Sequence, residues 1–292
     1  MTDAERITKT LGGDWRGGSG LAPCPICQPE GRRDQRALSL TDRAGALLTY
    51  CHKGGCAVWP ELKRIGLTDG TAKPAPAIRS HDDDPSRQVR WRKARELFAE
   101  SIICEGTPAQ TYLEARGIIG LRFSKLQRSL RFHPEAFHAP TGQRLPAMIA
   151  QIRSPKGHAL GVHRTFLAPD GSGKADVICA KMMLGPSRWG AVRFGPDAPV
   201  IALAEGIETA LSVSRASRLT VWACLSTSGM KAVVLPPLPA AAIVVICADH
   251  DPAGLSAAED TAKRLEAEGR AVSIIHPQTE GEDFNDILRG NS

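Results

Sequence analysis

Two apolar runs late in the chain each stop on acidic residues. Val200-Ile201-Ala202-Leu203-Ala204 leads into Glu205-Gly206, and Ile243-Val244-Val245-Ile246-Cys247-Ala248 leads into Asp249-His250-Asp251. Uninterrupted apolar runs of this length, with helical patterns between them, predict parallel strands buried on both faces. The pattern places strands at 199–205, 220–225, 241–248 and 271–276, and helices at 207–217 and 253–268, the second ending at Gly269. Strand and helix alternate in this way in a βαβ parallel sheet.

Upstream the periodicity changes. A helical pattern runs from Val89-Arg90-Trp91 through Leu97-Phe98 toward Ile102-Ile103, and a short helix is predicted over 108–116, ended by Gly117. Strand-like pieces follow at 147–152 and 161–167, punctuated by the turn sequences Ser154-Pro155-Lys156-Gly157 and Pro169-Asp170-Gly171-Ser172-Gly173. Residues 1–68 read as a small, glycine-containing, loop-rich unit. Residues 69–88 lack apolar periodicity and read as a linker. The predicted class is α/β, divided into a small unit (1–68), a linker (69–88), an α+β subdomain (89–198) and a parallel-sheet domain (199–292).

Composition narrows the partners. No stretch approaches a transmembrane span, and the opening Met1-Thr2-Asp3-Ala4-Glu5-Arg6 has no apolar signal core, so a reducing cytoplasm and no membrane are expected. The net charge of +6 is uneven: residues 1–80 carry 12 Lys/Arg against 8 Asp/Glu, 81–198 carry 18 against 11, and 199–292 carry 7 against 12. A basic front suits a polyanion such as nucleic acid, and an acidic rear suits metal ions. A solvated basic surface is the plainer reading of the same charge.

Four of the eight cysteines form close pairs, Cys24-Pro25-Ile26-Cys27 and Cys51-His52-Lys53-Gly54-Gly55-Cys56. Two such knuckles complete a tetrahedral zinc site, and the residues between them suit a ribbon with strands at 37–40 and 47–50. His52 is an alternative ligand to Cys51 or Cys56. A closed four-ligand site is structural, and in so small a unit metal binding supplies much of the folding energy. Trp15, Arg16, Arg32, Arg33 and Arg36 flank the knuckles and either touch nucleic acid or stay solvated.

The acidic strand ends carry the chemistry. Asp249 and Asp251, two apart, share a face of an extended strand end, and Glu205 approaches from the neighbouring strand as metal ligand or general base. Ligands of open α/β sheets bind beyond the carboxyl ends of the strands, and carboxylates gathered there suit Mg²⁺ or Mn²⁺ with phosphates. Gly206 and Gly254 leave room for backbone to approach phosphates. Asp283 either adds a fourth acid or caps the helix that follows, and Glu208 either orients the site or is a first-turn acid. Gly171-Ser172-Gly173-Lys174 lacks the flanking residues of a phosphate loop and reads as a hairpin turn.

Glu205-Gly206 with Asp249-His250-Asp251 resembles the Toprim fold of bacterial-type primases, topoisomerases and some nucleases. Joined to an N-terminal zinc ribbon, it resembles bacterial and phage DNA primases, and the spellings Leu203-Ala204-Glu205-Gly206-Ile207-Glu208-Thr209-Ala210 and Asp283-Phe284-Asn285-Asp286 resemble primases of mobile elements. The segments Gly161-Val162-His163-Arg164-Thr165 and Lys181-Met182-Met183-Leu184-Gly185 resemble the subdomain ahead of Toprim in that group. The resemblance implies Mg²⁺ or Mn²⁺ at Glu205, Asp249, Asp251 and Asp283, and structural Zn²⁺ at Cys24, Cys27, Cys51 and Cys56. It also implies single-stranded DNA template and nucleoside triphosphates near Trp15, Arg16, Arg33, Arg164 and Lys181, with a separate helicase as partner. A Toprim nuclease and a catalytically silent DNA-binding relative are the rival readings. The second knuckle's four intervening residues, where replicative primases usually have two, depart from the pattern.

Overall fold

The computed structural model describes residues 2–16, 18–31, 36–43, 46–51, 56–68 and 85–290. The chain clusters into two compact units, Met1–His81 and Asp82–Ser292. Arg33, His52 and most of the expected linker lie outside the described residues.

The first unit runs α1 (Asp3–Thr10), β1 (Asp14–Arg16), β2 (Ser19–Ala22), β3 (Leu38–Arg43), β4 (Ala46–Cys51) and α2 (Val58–Arg64). Its four strands form an antiparallel sheet in the order β1-β2-β3-β4. The unit is more regular than its glycines suggest. Helix α1 opens on Thr2, whose hydroxyl accepts from the Glu5 N–H, and it buries Ala4, Ile7 and Thr8. Gly20 lies within β2 because a Cβ there would stand 1.9 Å from the Thr8 hydroxyl. That glycine lets helix and strand touch; it does not loosen a loop.

The second unit runs α3 (Pro85–Glu100), α4 (Pro108–Ala115), α5 (Phe123–Leu126), β5 (Leu130–His138), β6 (Gln143–Arg153), β7 (Ala159–Phe166), β8 (Lys181–Leu184), β9 (Ala191–Phe194) and β10 (Val200–Ala204). It continues through α6 (Ile207–Ser217), β11 (Thr220–Ala223), α7 (Thr227–Ala232), β12 (Ile243–Cys247), α8 (Pro252–Ala267), β13 (Ala271–Ile275) and α9 (Phe284–Leu288). Helix α3 starts at Pro85, inside the expected linker, where proline's fixed φ suits a first turn.

One nine-stranded sheet organises this unit in the order β13-β12-β10-β11-β9-β6-β7-β8, with β5 paired to β6. Strands β10, β11, β12 and β13 are parallel, and β9 joins them antiparallel to β11 through Trp222 opposite Arg193. The fold class is thus mixed α/β, with the expected parallel strands and helices close to their predicted positions. Along β10, Ile201 and Leu203 enter one core with Trp222, Val244 and Ile246. Ala202 and Ala204 enter the other with Val221, Met148 and Leu113. This period-2 alternation covers both faces of the central strands, as an apolar run requires. Strand β5 escaped the sequence pattern because Pro134 and Glu135 interrupt it, at a register shift between His133 and Ala136. Among the described residues, no helix is long and apolar enough to cross a membrane.

Candidate active site

Strands β10 and β12 lie in register, Ala204 beside Cys247, so Glu205 and Asp249 leave the same edge of the sheet. Both line a cleft of about 270 Å³ together with Asp283 from the start of α9. Asp249 Oδ1 is buried without a hydrogen-bond partner. Burial, and then the charges of Glu205, Asp283 and Asp251, push the Asp249 carboxyl up to about 7. The orphaned Asp249 oxygen among repelling carboxylates is where a hard divalent cation would be met. Among the described residues, however, only Cys24, Cys27, Cys51 and Cys56 bring three or more donor atoms within 4.8 Å of one another.

The same cleft is lined by the cations Arg116, Lys174 and Lys181. They are held together by Glu208, which is 4% exposed. Lys181 Nζ meets Glu208 Oε2 at 3.1 Å and the Tyr112 hydroxyl donates to Oε1 at 2.6 Å. Burial works to raise the Glu208 pKa, but Lys181, Tyr112 and its own backbone N–H override it and hold the carboxyl well below the usual range. Burial and the adjacent Lys181 push Lys174 down to about 8. His163 faces the cleft, and burial with Lys181 beside it pushes the ring down to about 4, so it is neutral at pH 7.

The remaining expected residues divide. Asp251 is the N-cap of α8, its Oδ1 accepting from the Gly254 N–H at 2.6 Å, and its charge reaches Asp249. Asp283 both caps α9, through Asn285 and Asp286 N–H groups, and lines the cleft. Gly254 has a steric reason of its own: a Cβ there would meet the Asp249 carbonyl oxygen at 2.5 Å. Lys181 lies in the cleft, whereas Arg164 is 6% exposed and outside its lining. Its guanidinium donates to the Phe137 and Met183 carbonyls and packs on Phe166, so it ties β5, β7 and β8 together. Arg164 is therefore spent on the sheet, as a buried cation with carbonyl partners must be.

Arg116, Lys174 and Tyr112 were missed from the sequence. Lys174 ends the Gly171-Ser172-Gly173 hairpin, which forms as expected with Leu167 bridged to Lys174, and that turn delivers its ammonium to the cleft. Asn285, buried in the Asp283-Phe284-Asn285-Asp286 segment, donates to the Arg116 carbonyl at 2.7 Å and to Ser212 Oγ at 3.1 Å. It fixes α9 against α6 and the end of α4.

In the first unit, Cys24, Cys27, Cys51 and Cys56 bring their sulfurs within 4.8 Å of one another, Cys27 and Cys51 at 3.5 Å. Ligands about 2.3 Å from a tetrahedral zinc stand ~3.8 Å apart, so the four thiols fit that ion. Burial and the neighbouring thiols raise Cys27 above the ordinary range and Cys56 to about 11, which leaves four crowded sulfurs calling for a cation. Trp15 is half-buried against this core and Arg16 is exposed at the end of β1.

A Toprim domain model matches residues 200–292. Residues 200–292 form a Toprim domain. Of its strand-end Glu205-Gly206 and Asp249-His250-Asp251, Glu205, Gly206 and Asp249 line the cleft, and Asp251 caps α8 beside it. A second model, described as a domain of unknown function (DUF7146), matches residues 88–194. No curated protein matches the sequence. Among solved structures, the chain is similar to a DNA primase domain from Pseudomonas aeruginosa, at 17% identity and TM-score 0.46 over 69% of this chain and 74% of that one. It is similar to the zinc-binding and RNA polymerase domains of the Aquifex aeolicus primase at 14% identity and TM-score 0.47, over 99% and 80%. It is also similar to the primase fragment of the bacteriophage T7 primase-helicase protein at 16% and 0.42, over 92% and 94%. Along the chain a four-cysteine ribbon comes first, a mixed subdomain second and the Toprim domain last.

Proposed function

We propose that this protein is a DNA primase-like nucleotidyltransferase that makes short primers on single-stranded DNA. One observation carries the reading: a single cleft is lined by Glu205, Asp249 and Asp283 together with Arg116, Lys174 and Lys181. A nucleoside triphosphate needs both kinds of group, metal-binding acids at the reacting phosphate and fixed cations along its tail. A phosphodiester cut by water has no triphosphate tail, so the cations favour synthesis over the nuclease reading.

Glu205, Asp249, Asp283 and the Oδ2 of Asp251 would hold Mg²⁺ or Mn²⁺. The bound ion supplies charge stabilisation for an attacking 3′-oxygen and a departing pyrophosphate. Lys181, locked on Glu208, presents its remaining donors to phosphate in a fixed direction, with Lys174 and Arg116 beside it. Glu205 stands as ligand or general base. The four-cysteine ribbon would carry structural zinc and present Trp15, Arg16 and Arg33 to template. A separate helicase and a cytoplasmic setting complete the reading.

The test is incubation with single-stranded DNA, labelled ribonucleoside triphosphates and Mg²⁺ or Mn²⁺, repeated with Asp249→Asn and Asp251→Asn. Short template-dependent products, lost in both variants, are the expected result. Shortened DNA without synthesis would put the nuclease in its place, and DNA retention with neither product would put the silent module there.

A further inference from the structure

A second cavity in the Asp82–Ser292 unit, of about 410 Å³, shares no lining residue with the carboxylate cleft. Lys125, Arg128, Arg153 and Arg193 line it, against the single carboxylate of Asp197. One wall is the turn Gly195–Asp197. The Pro196 carbonyl accepts from Thr220 Oγ1 at 2.9 Å, and Thr220 is the first residue of β11, opposite Ile201 of β10. That wall therefore lies at the amino ends of the parallel strands. Glu205 lies beyond their carboxyl ends, four residues or about 13 Å further along β10.

Two of the four cations are fixed before any ligand arrives. Arg193, 8% exposed, stacks over Trp222 at 3.9 Å, donates to the Ser154 and Pro155 carbonyls, and meets Asp197 at 3.4 Å. Arg153 donates to the Gly157 carbonyl at 3.0 Å and the Arg128 carbonyl at 2.9 Å. Lys125 and Arg128 are exposed. Burial, and then the nearby Arg128, lowers the pKa of Arg153. Burial leads again at Arg193, where Asp197 opposes it and Arg153 adds to it. The fold thus holds guanidiniums against their mutual repulsion with one partly exposed acid to offset them. Preorganised guanidiniums with exposed cations beside them form a receptor for oxyanions, because the ordering cost of the guanidiniums is met in folding.

We infer that this cavity is a phosphate-binding site distinct from the carboxylate cleft, with Lys125 and Arg128 as its accessible contacts and Arg153 and Arg193 as its fixed floor. The phosphate comes either from a nucleic-acid strand or from a free nucleotide or pyrophosphate. The inference does not depend on the proposed synthesis.

The experiment is run in EDTA, so that the carboxylate cleft takes no metal part. Binding of a labelled oligothymidylate is followed by anisotropy, and binding of pyrophosphate by thermal shift, for wild type and for K125E/R128E. The double variant R92E/R144E, which makes the same charge change at exposed positions outside the cavity, is the control. If the strand is the source, K125E/R128E loses at least fivefold in oligonucleotide affinity and its salt slope falls by about two, while the control changes less than twofold. If a free phosphate is the source, its pyrophosphate-induced shift disappears while the control keeps it. Either loss supports the site, and both together support a shared phosphate contact. If K125E/R128E matches the control in both measurements, the inference is overturned. Unliganded melting temperatures within a degree of wild type confirm that both rim substitutions leave the fold intact.

Discussion

Glu208 and Asp249 face one cleft yet stand in opposite electrostatic states. Glu208 is almost fully buried, but Lys181 and the Tyr112 hydroxyl meet it, and its carboxyl is held ionised. Asp249 is less deeply placed, yet it has an unpartnered oxygen and acids for neighbours, and its proton is held to about pH 7. Burial alone does not set the charge of an acid; its partners do. The protein supplies the partners of Glu208 itself and leaves Asp249 Oδ1 without one. The first arrangement is that of a fixed support, and the second suits the metal-binding role proposed for Asp249.

The contrast breaks most sharply under substitution. D249N is expected to lower metal-dependent nucleotidyl transfer by about a thousandfold, roughly 4 kcal/mol, while its melting temperature stays level or rises at pH 8, because a repelled charge is gone. Steady-state primer synthesis and differential scanning calorimetry on the same sample check both halves. A fall in stability would mean that Asp249 is a structural acid like Glu208. E208A is expected to do the reverse, costing about 4 kcal/mol in urea unfolding, since it strands the Tyr112 hydroxyl and releases Lys181.

A third outcome concerns pH. His163 has a folded pKa of about 4, below the ordinary 6.5, so the folded state prefers the neutral ring. Its contribution is complete above pH 6.5 and is lost as pH falls toward 4, by up to ~3 kcal/mol at about 1.4 kcal/mol per unit. The depressed Glu208 adds its own loss below its usual 4.5. Asp249, whose carboxyl is pushed up to about 7, works in the opposite sense over the same range, so the check is a difference. Urea unfolding should show wild type losing stability relative to H163Q as pH falls from 6.5 to 4. The smallest effect sharpens the contrast directly. Mg²⁺ at ten times its dissociation constant should stabilise the wild type by ~1.4 kcal/mol, about 3 °C, and D249N hardly at all.

The acids were legible in the sequence because each ends an apolar run, and strand order alone puts such ends on one edge. Lys181 was legible only through resemblance. Arg116, Lys174 and Tyr112 were not, because their place depends on contacts between distant segments; Tyr112 and Glu208 are 96 residues apart. Arg164 misled for a related reason. A cation in a β-strand looks the same in sequence whether it meets a ligand or three strands of its own sheet. In the first unit, Gly20 suggested a loop because a close helix–strand contact leaves no mark except the missing side chain. The cysteine knuckles were legible through spacing, and the cluster of four sulfurs follows it.

Strand β9 has a consequence for how this chain can be divided. The two family matches stop and start on either side of residues 195–199, as if two exchangeable modules met there. Yet β9 belongs to the first of them by sequence and to the Toprim strands by hydrogen bonding, with Arg193 opposite Trp222 and Val192 opposite Ala223. Leu113 and Met148 from one side share a core with Ala202 and Val221 from the other. The bounds of the family matches and the bounds of the folded sheet therefore differ. A gene fragment encoding residues 199–292 alone would yield a sheet with its β11 edge uncovered and half of a cleft. An exchange of either module should therefore carry β9 together with its partner strand β11.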